Sequence, residues 1–305
     1  MTTAMPQFKF WTLSDPGDGV MVASFANPPL HTMTHSGVVE VAAVLTMLRH
    51  RVEAGNAPRV VVFTGGSDST FIRSYDVGEL STVASAPKSG GSGKASTEVV
   101  AAADELAVKP DFASVLLAME ALPIITIAAI NGLAMGGGCE FSLGCDFRLM
   151  SSAVPAFGLP ETSVGILPGG GGTQRFARLL GTAKALDLIL HSKLMKPTEA
   201  LQLGLVHRVF PAESFPRDWR AFAQDLADRS PVGLAASKIA IQQGSRLPLE
   251  KGLAIEAREM AKTMRSTDAA AALKATTSGK YKSPKNPGFA WGSTYPAQRQ
   301  PAAKL

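Results

Sequence analysis

An apolar run that ends in glycines and a glutamate is the feature that most constrains how this chain can fold. The uncharged segment Leu122–Ile130 precedes three glycines, Gly136–Gly138, and Glu140 follows within an apolar stretch. We predict a buried strand at Ile124–Ile130 and a helix that begins at the glycines and extends to about Gly144. Glycines let a ligand approach the backbone closely, and a helix N-terminus presents unpaired N–H groups with a partial positive charge. Such a helix end can stabilise an oxygen that becomes anionic during a reaction.

The chain before this segment has the pattern of a strand–helix–strand unit. Two short strands, Phe8–Leu13 and Val20–Ala26, precede a helix over about Ser36–Glu53, and the apolar strand Val60–Thr64 follows. A buried strand after a helix of this length indicates a βαβ unit and a helix-covered sheet, which is an α/β fold class. The apolar stripe of the helix that we expect to face the core comprises Val39, Ala42, Leu45 (or Val44), Leu48 and Val52.

The remaining elements are mostly helices. Asp111–Ala121 is predicted as a helix before the central strand, and Phe147–Ser151 as another strand after it. The final third is predicted almost entirely helical, in the segments Ala183–Ser192, Thr198–Gly204, Trp219–Arg229, Ser230–Gln243 and Leu249–Thr263.

Three loop features have local interpretations. Ser81–Ser96 is rich in Gly, Ser and Pro, which predicts a flexible loop. Pro168–Gly172 has the glycines of a phosphate loop but lacks its Gly-Lys-[Ser/Thr] ending. We therefore interpret it as a tight turn that caps the helix beginning at Thr173. Asn131 is interpreted as a turn residue that bonds its own backbone.

Composition excludes several classes of protein. Apolar residues are 46% of the 305 and charged residues 18%, which is typical of a globular chain. The longest apolar run is far short of the ~20 residues that a membrane span needs, so no membrane partner is expected. Cys139 and Cys145 match no disulfide framework or zinc spacing, and the five histidines are scattered, so no metal site is expected. The N-terminal residues lack the apolar region of a secretory signal and the arginines of a transit peptide.

The net charge of +5 is concentrated at the C-terminus. Ala269–Leu305 contains six Lys and Arg residues and no Asp or Glu, so the rest of the chain carries −1. A nucleic-acid-binding protein would carry its positive charge on a folded face, whereas we expect an extended tail after Ser283. Nucleic acid is therefore not an expected partner.

Three motifs between Ala128 and Arg175 together resemble the signature of the crotonase (enoyl-CoA hydratase/isomerase) superfamily. They are the segment that ends in Gly136-Gly-Gly-Cys-Glu140, then Phe157-Gly-Leu-Pro-Glu161, then Gly165-Ile-Leu-Pro-Gly-Gly-Gly-Gly-Thr-Gln-Arg175. The family pattern runs A-x-N-G-x-A-x-G-G-G-x-E, F-G-x-P-E and G-x-x-P-G-x-G-G-T-Q-R, and every fixed element is present in order. A looser resemblance covers roughly residues 8–276.

The resemblance implies an architecture and an assembly. The fold class is α/β, a crotonase (ClpP/crotonase-like) spiral of repeated β-β-α units with a C-terminal helical segment. We expect the spiral with the acyl-CoA site at residues 1–196, a helical oligomerisation segment at 197–282 and a basic extended tail at 283–305. The family forms trimers or dimers of trimers, so a homotrimer or hexamer is expected.

The resemblance also implies roles for individual residues. Family hydratases place two glutamates beside the α,β double bond of an acyl-CoA, and these match Glu140 and Glu161. Two backbone N–H groups hold the thioester carbonyl in an oxyanion hole, and the resemblance assigns them to Arg73 and Gly137. The further residues expected to contact the substrate are Ser74, Tyr75, Asp76 and Gly136.

These roles imply hydration of a 2-enoyl-CoA thioester through an oxyanion-stabilised enolate. One glutamate activates water for attack at Cβ and the other delivers a proton to Cα, in an order that the sequence leaves open. No cofactor is implied, because coenzyme A is part of the substrate and the thioester itself acidifies Cα. Family members that only isomerise double bonds usually lack one glutamate, so the presence of both favours a hydro-lyase. An isomerase or another acyl-CoA enolate reaction remains an alternative, as does a non-catalytic or RNA-binding paralogue that acts through the basic tail.

The chain departs from the family beside the expected oxyanion hole. Where the family has the small residues A-G-A-D, this chain has Arg73-Ser74-Tyr75-Asp76. We expect Arg73 and Tyr75 to reshape or charge the pocket, and the Ser81–Ser96 loop to form a mobile cover over it. A cytoplasmic location is expected, or a peroxisomal one in a eukaryote, because Ala303-Lys-Leu305 resembles a peroxisomal address.

Overall fold

The computed structural model describes residues 5–85 and 104–278. These residues fall into two compact units, one ending at Gln224 and the other beginning at Asp225. The expected basic tail at 283–305 lies outside the described residues, as does most of the predicted Ser81–Ser96 loop. The first five residues of that loop are helical, because they complete a helix that spans Val77–Ser85. The loop prediction was therefore wrong at its start.

Ten strands are present in the described part of the chain. They are β1 (Trp11–Ser14), β2 (Val20–Phe25), β3 (Val60–Gly65), β4 (Thr70–Ile72), β5 (Ile125–Ile130), β6 (Leu133–Met135), β7 (Phe147–Ser151), β8 (Phe157–Gly158), β9 (Leu194–Met195) and β10 (Arg208–Phe210). The four strands that the apolar pattern predicted before residue 131, together with β7, all lie in one sheet.

Eleven α-helices are described. They are α1 (His35–Glu53), α2 (Val77–Ser85), α3 (Phe112–Ala121), α4 (Gly137–Leu143), α5 (Gly172–Leu180), α6 (Thr182–Leu190), α7 (Pro197–Gln202), α8 (Phe215–Ala227), α9 (Pro231–Gly244), α10 (Leu249–Met264) and α11 (Thr267–Thr277). A short 3-10 helix spans Glu161–Val164.

The larger sheet has six strands in the order β1-β2-β3-β5-β7-β10. Strand β1 is antiparallel to β2, and every later neighbour pair is parallel. Parallel neighbours need a crossover between them, and α1 supplies the one between β2 and β3. The predicted βαβ unit is confirmed.

The smaller sheet has four strands in the order β4-β6-β8-β9. Its strands have only two or three residues each, and the apolar pattern did not predict them. They matter because each of β4, β6 and β8 is parallel to its neighbour and therefore ends at the same edge. The segments that follow these three strands contain Arg73–Asp76, Gly136–Glu140 and Leu159–Glu161.

The first unit extends beyond residue 196, where the sequence placed the end of the core. Strand β10 pairs in parallel with β7, so Arg208–Phe210 belongs to the larger sheet. The second unit contains α9, α10 and α11, and its strongest packing is between α9 and α10. In that unit the buried Glu259 carboxylate accepts hydrogen bonds from Arg258 and Lys262.

In helix α1, the predicted single stripe of apolar residues does not describe the whole buried face. Val38, Val41, Ala42, Val44, Leu45 and Leu48 are buried, whereas Val39 is 42% exposed. The buried face is wider than the single stripe, and Val39 points away from it. The assignment of Val39 to the core was wrong.

An aromatic cluster connects the larger sheet to α4. The Trp11 ring lies 5.1 Å from Phe25, 5.8 Å from Phe63 and 5.6 Å from Phe141. All four side chains are essentially fully buried, and Trp11 Nε1 donates to Gly37 O at 3.1 Å. Truncation of one such ring typically costs about 3–5 kcal/mol. Since Phe141 belongs to α4, this packing fixes the helix that follows the glycine run.

No helix in the ranges 5–85 and 104–278 is long and apolar enough to cross a membrane.

Candidate active site

The start of α4 can be built only with glycine. A Cβ on Gly138 would lie 1.8 Å from Ile72 O, and a Cβ on Gly136 would lie 2.7 Å from Glu161 Oε1. Gly136 also has a φ of +48°, which side-chain-bearing residues rarely adopt. The glycine run therefore brings the β4 backbone and the Glu161 carboxyl close to the N-terminus of α4.

Glu140 lies in the first turn of α4 and is only 3% exposed. Its Oε1 accepts hydrogen bonds from Gly170 N at 2.7 Å and Gly172 N at 2.8 Å. Burial raises the pKa of Glu140, while these two N–H groups and the Arg175 guanidinium oppose the rise because they favour the ionised form. The environment is therefore built to hold a carboxylate in a buried place.

Glu161 begins the 3-10 helix that follows β8, and its environment is different. Its Oε2 is buried and has no hydrogen-bond partner within the described ranges. Burial, assisted by the negative charge of Glu140, raises the pKa of Glu161 to about 7. This carboxyl can therefore hold or release a proton near neutral pH.

Two backbone N–H groups, those of Tyr75 and Gly137, lie near each other at the start of α4. An added Cβ on Gly137 would lie 2.8 Å from Tyr75 N, so the two backbones are in close contact. Within residues 5–85 and 104–278, neither the Tyr75 N–H nor the Gly137 N–H has a hydrogen-bond acceptor. Two unpaired donors side by side are the arrangement that an anionic oxygen requires.

The assignment of Arg73 as the first oxyanion donor does not fit this geometry. Arg73 N donates to His31 O at 3.0 Å, so that N–H is already used. Met33 N donates to Ser74 O and Asp76 N donates to Met33 O, which makes Met33 a parallel bridge partner of Tyr75. The N–H groups of Arg73 and Asp76 are therefore both bonded to residues 31–33, and the Tyr75 N–H between them is not used in this pairing.

A cavity of about 510 Å³ contains the two glutamates. Its lining comprises Arg73, Ser74, Tyr75, Val77, Leu80, Phe112, Met135, Gly136, Gly137, Glu140, Pro160, Glu161, Ser163, Val164, Ile166, Leu167, Gly169 and Gly170. We call this the central cavity. Its wall is mostly apolar with a few polar groups, as is usual for a small-molecule site.

Of the predicted substrate contacts, the central cavity contains Ser74, Tyr75 and Gly136 in its wall but not Asp76. Asp76 instead accepts from Glu79 N at 3.0 Å and from Thr32 Oγ1 at 2.8 Å, and these bonds lower its pKa. Asp76 therefore caps α2 and ties it to the segment before α1. The expectation that Asp76 contacts substrate is not supported by its position.

Tyr75 is a bulky residue in the wall of the central cavity. Its ring lies 5.8 Å from that of Phe112 in an edge-on arrangement. Burial raises the pKa of Tyr75 to about 12, and a hydrogen bond to Glu79 adds to the rise. The phenol therefore stays protonated, and the expectation that Tyr75 reshapes the cavity agrees with its position.

Sequence reasoning missed the role of two residues in the Pro168–Gly172 turn. The turn was expected only to cap α5, yet Gly170 N and Gly172 N both bind Glu140. The four consecutive glycines were a usable signal, because close backbone approach is one reason for such a run. Asn131 was also misread, since its side chain bonds Gly65 N, Gly65 O and Ser67 O, far along the chain, rather than its own backbone.

No cluster of three or more His, Cys, Asp and Glu side chains that could hold a metal ion is present among the residues that the structure describes. Both cysteines are buried as free thiols, and burial raises the pKa of Cys139 well above its ordinary value.

The chain is similar to several characterised acyl-CoA proteins. It is 40% identical over 146 residues to "Enoyl-CoA isomerase/hydratase fer4" of Mycosarcoma maydis, which is 48% of this chain and 53% of that protein. It is 38% identical over 150 residues to the short-chain-enoyl-CoA hydratase of Clostridium acetobutylicum, which is 49% of this chain and 57% of that protein. It is also 40% identical over 151 residues to the mitochondrial methylglutaconyl-CoA hydratase of Rattus norvegicus, which is 48% of each chain. The chain thus spans about half the length of these relatives.

Solved structures extend the similarity to nearly the whole chain. An enoyl-CoA hydratase from Bacillus anthracis matches with a TM-score of 0.75 and 28% identity, over 92% of this chain and 100% of the other. A Geobacillus kaustophilus structure described as an enoyl-CoA hydratase matches with a TM-score of 0.77 and 26% identity, over 90% and 96% of the two chains. The predicted α/β crotonase fold with its C-terminal helices is confirmed. The family model for enoyl-CoA hydratase/isomerase matches residues 15–283, and this chain belongs to that family.

Proposed function

We propose that this protein is an enoyl-CoA hydratase, which adds water across the α,β double bond of a 2-enoyl-CoA thioester. The observation that carries the proposal is a pair of carboxyls in one cavity whose hydrogen-bond environments differ. Glu140 has two N–H donors on one oxygen, whereas Glu161 has an oxygen with no donor and a pKa raised to about 7. An addition reaction needs one base and one acid at the same time, and such a pair supplies both.

The proposal assigns a different role to each glutamate. Glu140, whose Oε1 accepts two backbone N–H groups, takes a proton from water while the water oxygen forms its bond to Cβ. The electron pair of the double bond moves through Cα onto the thioester oxygen, which becomes an enolate. Glu161, protonated at the start, then gives its proton to Cα as the electron pair returns. Water is consumed, and before the next turnover Glu140 must lose the proton that it took and Glu161 must regain one, either by direct transfer or by exchange with solvent.

The enolate oxygen is held in this proposal by Tyr75 N–H and Gly137 N–H. Both are backbone groups whose neighbours are fixed by β-bridge pairing and by the start of α4. Rigid donors need no reorganisation when the charge forms, and loss of one typically raises the barrier by about 2.7–4 kcal/mol. Arg73 remains a cationic side chain in the cavity wall, where it can attract an anionic substrate.

The deciding experiment is a panel of 2-enoyl-CoA substrates of varied chain length, branching and aromaticity. Hydration removes the conjugated thioester, so its ultraviolet absorbance should decrease with time in at least one case. A 3-enoyl-CoA is the matched control, since its isomerisation would instead create the conjugated absorbance. No loss of absorbance with any 2-enoyl-CoA would refute the hydratase proposal.

Isomerisation is a second candidate because a carboxyl with a pKa near 7 can shuttle one proton between two carbons. One relative carries both activities in its name, "Enoyl-CoA isomerase/hydratase". An isomerase would need only Glu161, and the two N–H groups on Glu140 would then have no catalytic purpose. The 3-enoyl-CoA arm of the same panel distinguishes the two reactions.

We also propose assembly into a homotrimer or a dimer of trimers. Large apolar side chains are exposed on the helices of the second unit, namely Ile241, Leu249, Leu253, Met260, Met264 and Leu273. Apolar side chains in such number on one helical unit are typical of a subunit interface. Light scattering coupled to size exclusion should give three or six chains per particle, and a monomer would refute this assembly.

A further inference from the structure

The four glycines of the turn that binds Glu140 have no side chains that could stabilise the turn. Gly170 and Gly172 direct their N–H groups at Glu140 Oε1, and Gly171 between them has a φ of +96°. Glycine loses more conformational entropy on ordering than any other residue, so a turn of four glycines needs an external support. The support that the structure offers comes from Arg175, in the first turn of α5.

Arg175 bridges a buried carboxylate and the glycine turn. Its Nε donates to Glu120 Oε1 at 2.7 Å, and its Nη1 donates to Gly170 O at 3.1 Å. The two side chains are only 15% and 9% exposed, so the pair is screened little by water. A Cβ on Gly171 would lie 2.2 Å from Arg175 Nη1, and glycine is therefore what lets the guanidinium reach the turn.

We propose that Arg175, oriented by Glu120, is a positioning residue that holds the Gly170–Gly172 turn against Glu140 and keeps Glu140 ready to activate water. Neither Arg175 nor Glu120 lines the central cavity, so both act through the turn rather than on the substrate. The chain of contacts runs from Glu120 through Arg175 to Gly170, and from the N–H groups of that turn to Glu140. The inference rests on the proposed hydratase function for its meaning, although its structural part can be tested without turnover.

The charged and titratable groups around Glu140 determine how its pKa should respond to the removal of Arg175. Arg175 faces it from α5, Glu161 from the 3-10 helix and the Cys139 thiol from α4 itself, while Glu120 on α3 is bound to Arg175. Burial raises the pKa of Glu140 and Arg175 opposes the rise, so removal of Arg175 should raise that pKa further.

Four variants separate positioning from general destabilisation. Arg175→Met removes both the guanidinium donors and the positive charge, and Arg175→Lys keeps the charge but lacks the planar guanidinium. Glu120→Gln keeps a possible acceptor for Arg175 Nε but removes the negative charge. Arg178→Met is the matched control, because Arg178 lies on the same helix and its described hydrogen bonds go only to Gln174, one turn away.

For Arg175→Met we expect kcat on a 2-enoyl-CoA to fall about 10²-fold, as for loss of a positioned base, with KM changed by less than about threefold. The acidic limb of its kcat/KM profile should move to higher pH by at least about half a unit. In Arg175→Lys the pH position of the acidic limb should return toward the wild-type value more completely than kcat does. Glu120→Gln should lower kcat without moving the acidic limb to higher pH. Arg178→Met should match the wild type in both measurements.

The independent readout is an infrared titration of carboxyl groups in the Glu161→Gln background. The band that disappears in Glu140→Gln identifies Glu140, and its midpoint should rise when Arg175 is replaced by Met. If Arg175→Met fails to fold because Glu120 loses its bond to the Arg175 guanidinium, Arg175→Met with Glu120→Gln removes both charges, and the same lowered kcat is expected. An unchanged Glu140 midpoint in a folded Arg175→Met variant would overturn the inference, as would wild-type kcat. If the wild type hydrates no 2-enoyl-CoA, the proposed function fails while the titration still decides the role of Arg175.

Discussion

Glu140 is buried and Glu161 is partly buried, yet only Glu140 accepts backbone N–H groups on an inward oxygen. Two N–H groups converge on Glu140 Oε1, while Glu161 Oε2 is buried without a donor within the described ranges. A carboxylate that accepts backbone N–H groups is stabilised, and one that is desolvated without donors favours its protonated form. The negative charge of Glu140 adds to the rise in the pKa of Glu161, which burial mainly causes.

The exchange of either carboxyl for an amide tests this division directly. We expect Glu140→Gln and Glu161→Gln each to lower kcat on a 2-enoyl-CoA by at least about 10²-fold, because each removes a proton-transfer group. The amide is nearly isosteric, so circular dichroism should be unchanged. Steady-state kinetics with equal enzyme concentrations gives the result, and near-wild-type turnover of either variant would exclude that residue from the pair.

The pH profile of the wild type should show which glutamate is the acid. The proposed acid must be protonated, and the pKa of Glu161 is about 7, so kcat/KM should be level just below pH 7 and fall above it. Loss of a single proton predicts a roughly tenfold decrease for each further pH unit. The same measurement on Glu161→Gln should show the alkaline decrease abolished. A wild-type profile that is flat from about pH 6 to pH 9 would contradict the role of Glu161 as acid.

Sequence motifs identified the two glutamates but misassigned one backbone donor. A sequence motif shows which residue type stands at each position, and both glutamates were identified from the motifs. The direction of an N–H group depends on strand pairing, and Arg73 N is used because residues 31–33, some forty positions earlier, pair alongside it. The side-chain bonds of Asn131 to Gly65 and Ser67 were missed for the same reason. Contacts between distant segments are the part that local patterns leave out.

At the scale of elements, the long and strongly apolar segments were predictable and the short ones were not. Strand β5 and helices α1 and α10 have enough residues to show their periodicity. Strands β8 and β9 have two residues each and owe their existence to partners in the smaller sheet. Yet the short strands of that sheet deliver Tyr75, Gly137 and Glu161 to one place, so the site depends on the least predictable elements.

The glycine turn before α5 allows a matched comparison of neighbouring residues. A Cβ on Gly170 would lie 2.5 Å from the Phe112 ring and 2.8 Å from Glu140 Oε2, whereas a Cβ on Gly169 would meet no atom within 4 Å. Gly170→Ala must therefore shift the turn and its N–H groups away from Glu140, and we expect kcat to fall about 10²-fold, in the range for a lost positioned donor. Gly169→Ala leaves the turn and its N–H groups in place, so kcat should fall by no more than about threefold, and any effect of Gly169 as a cavity-wall residue should be on KM. Equal effects of the two substitutions would contradict the role of the turn.

At the scale of the molecule, the first unit combines a tightly packed core with a site in which burial raises the pKa of two carboxyl groups. The aromatic cluster of Trp11, Phe63 and Phe141 secures α4 on the larger sheet, and Glu140 lies on the same helix one residue before Phe141. Every residue that the sequence assigned to the site belongs to this unit, which ends at Gln224. The core therefore holds in place a carboxyl pair that is itself unfavourable to bury, as is common where activity requires perturbed groups.

The cost of that burial should be visible in the stability of the whole protein. The pKa of Glu161 is raised from 4.5 to about 7 on folding, so the folded state keeps a proton that the unfolded state releases between these values. Below pH 4.5 both states are protonated and nothing is lost, and the free energy of unfolding falls between about pH 4.5 and pH 7, above which both states are ionised. Since one pKa unit corresponds to about 1.4 kcal/mol, the loss is at most about 3 kcal/mol, and solvent screening of this partly exposed group lowers it further.

The Glu161→Gln variant has no ionisable group at this position, so its free energy of unfolding should not show this decrease with rising pH. We expect the variant to gain up to about 3 kcal/mol over the wild type at pH 8, and much less at pH 5, in urea unfolding at equal protein concentrations. Glu213→Gln is the control for the exchange of an exposed carboxyl for an amide in the same unit, and the gain in stability at pH 8 is expected for Glu161→Gln and not for this control. If Glu161→Gln loses stability at pH 8, the carboxylate must gain compensating interactions in the folded state, and the raised pKa on which the acid role depends would be wrong.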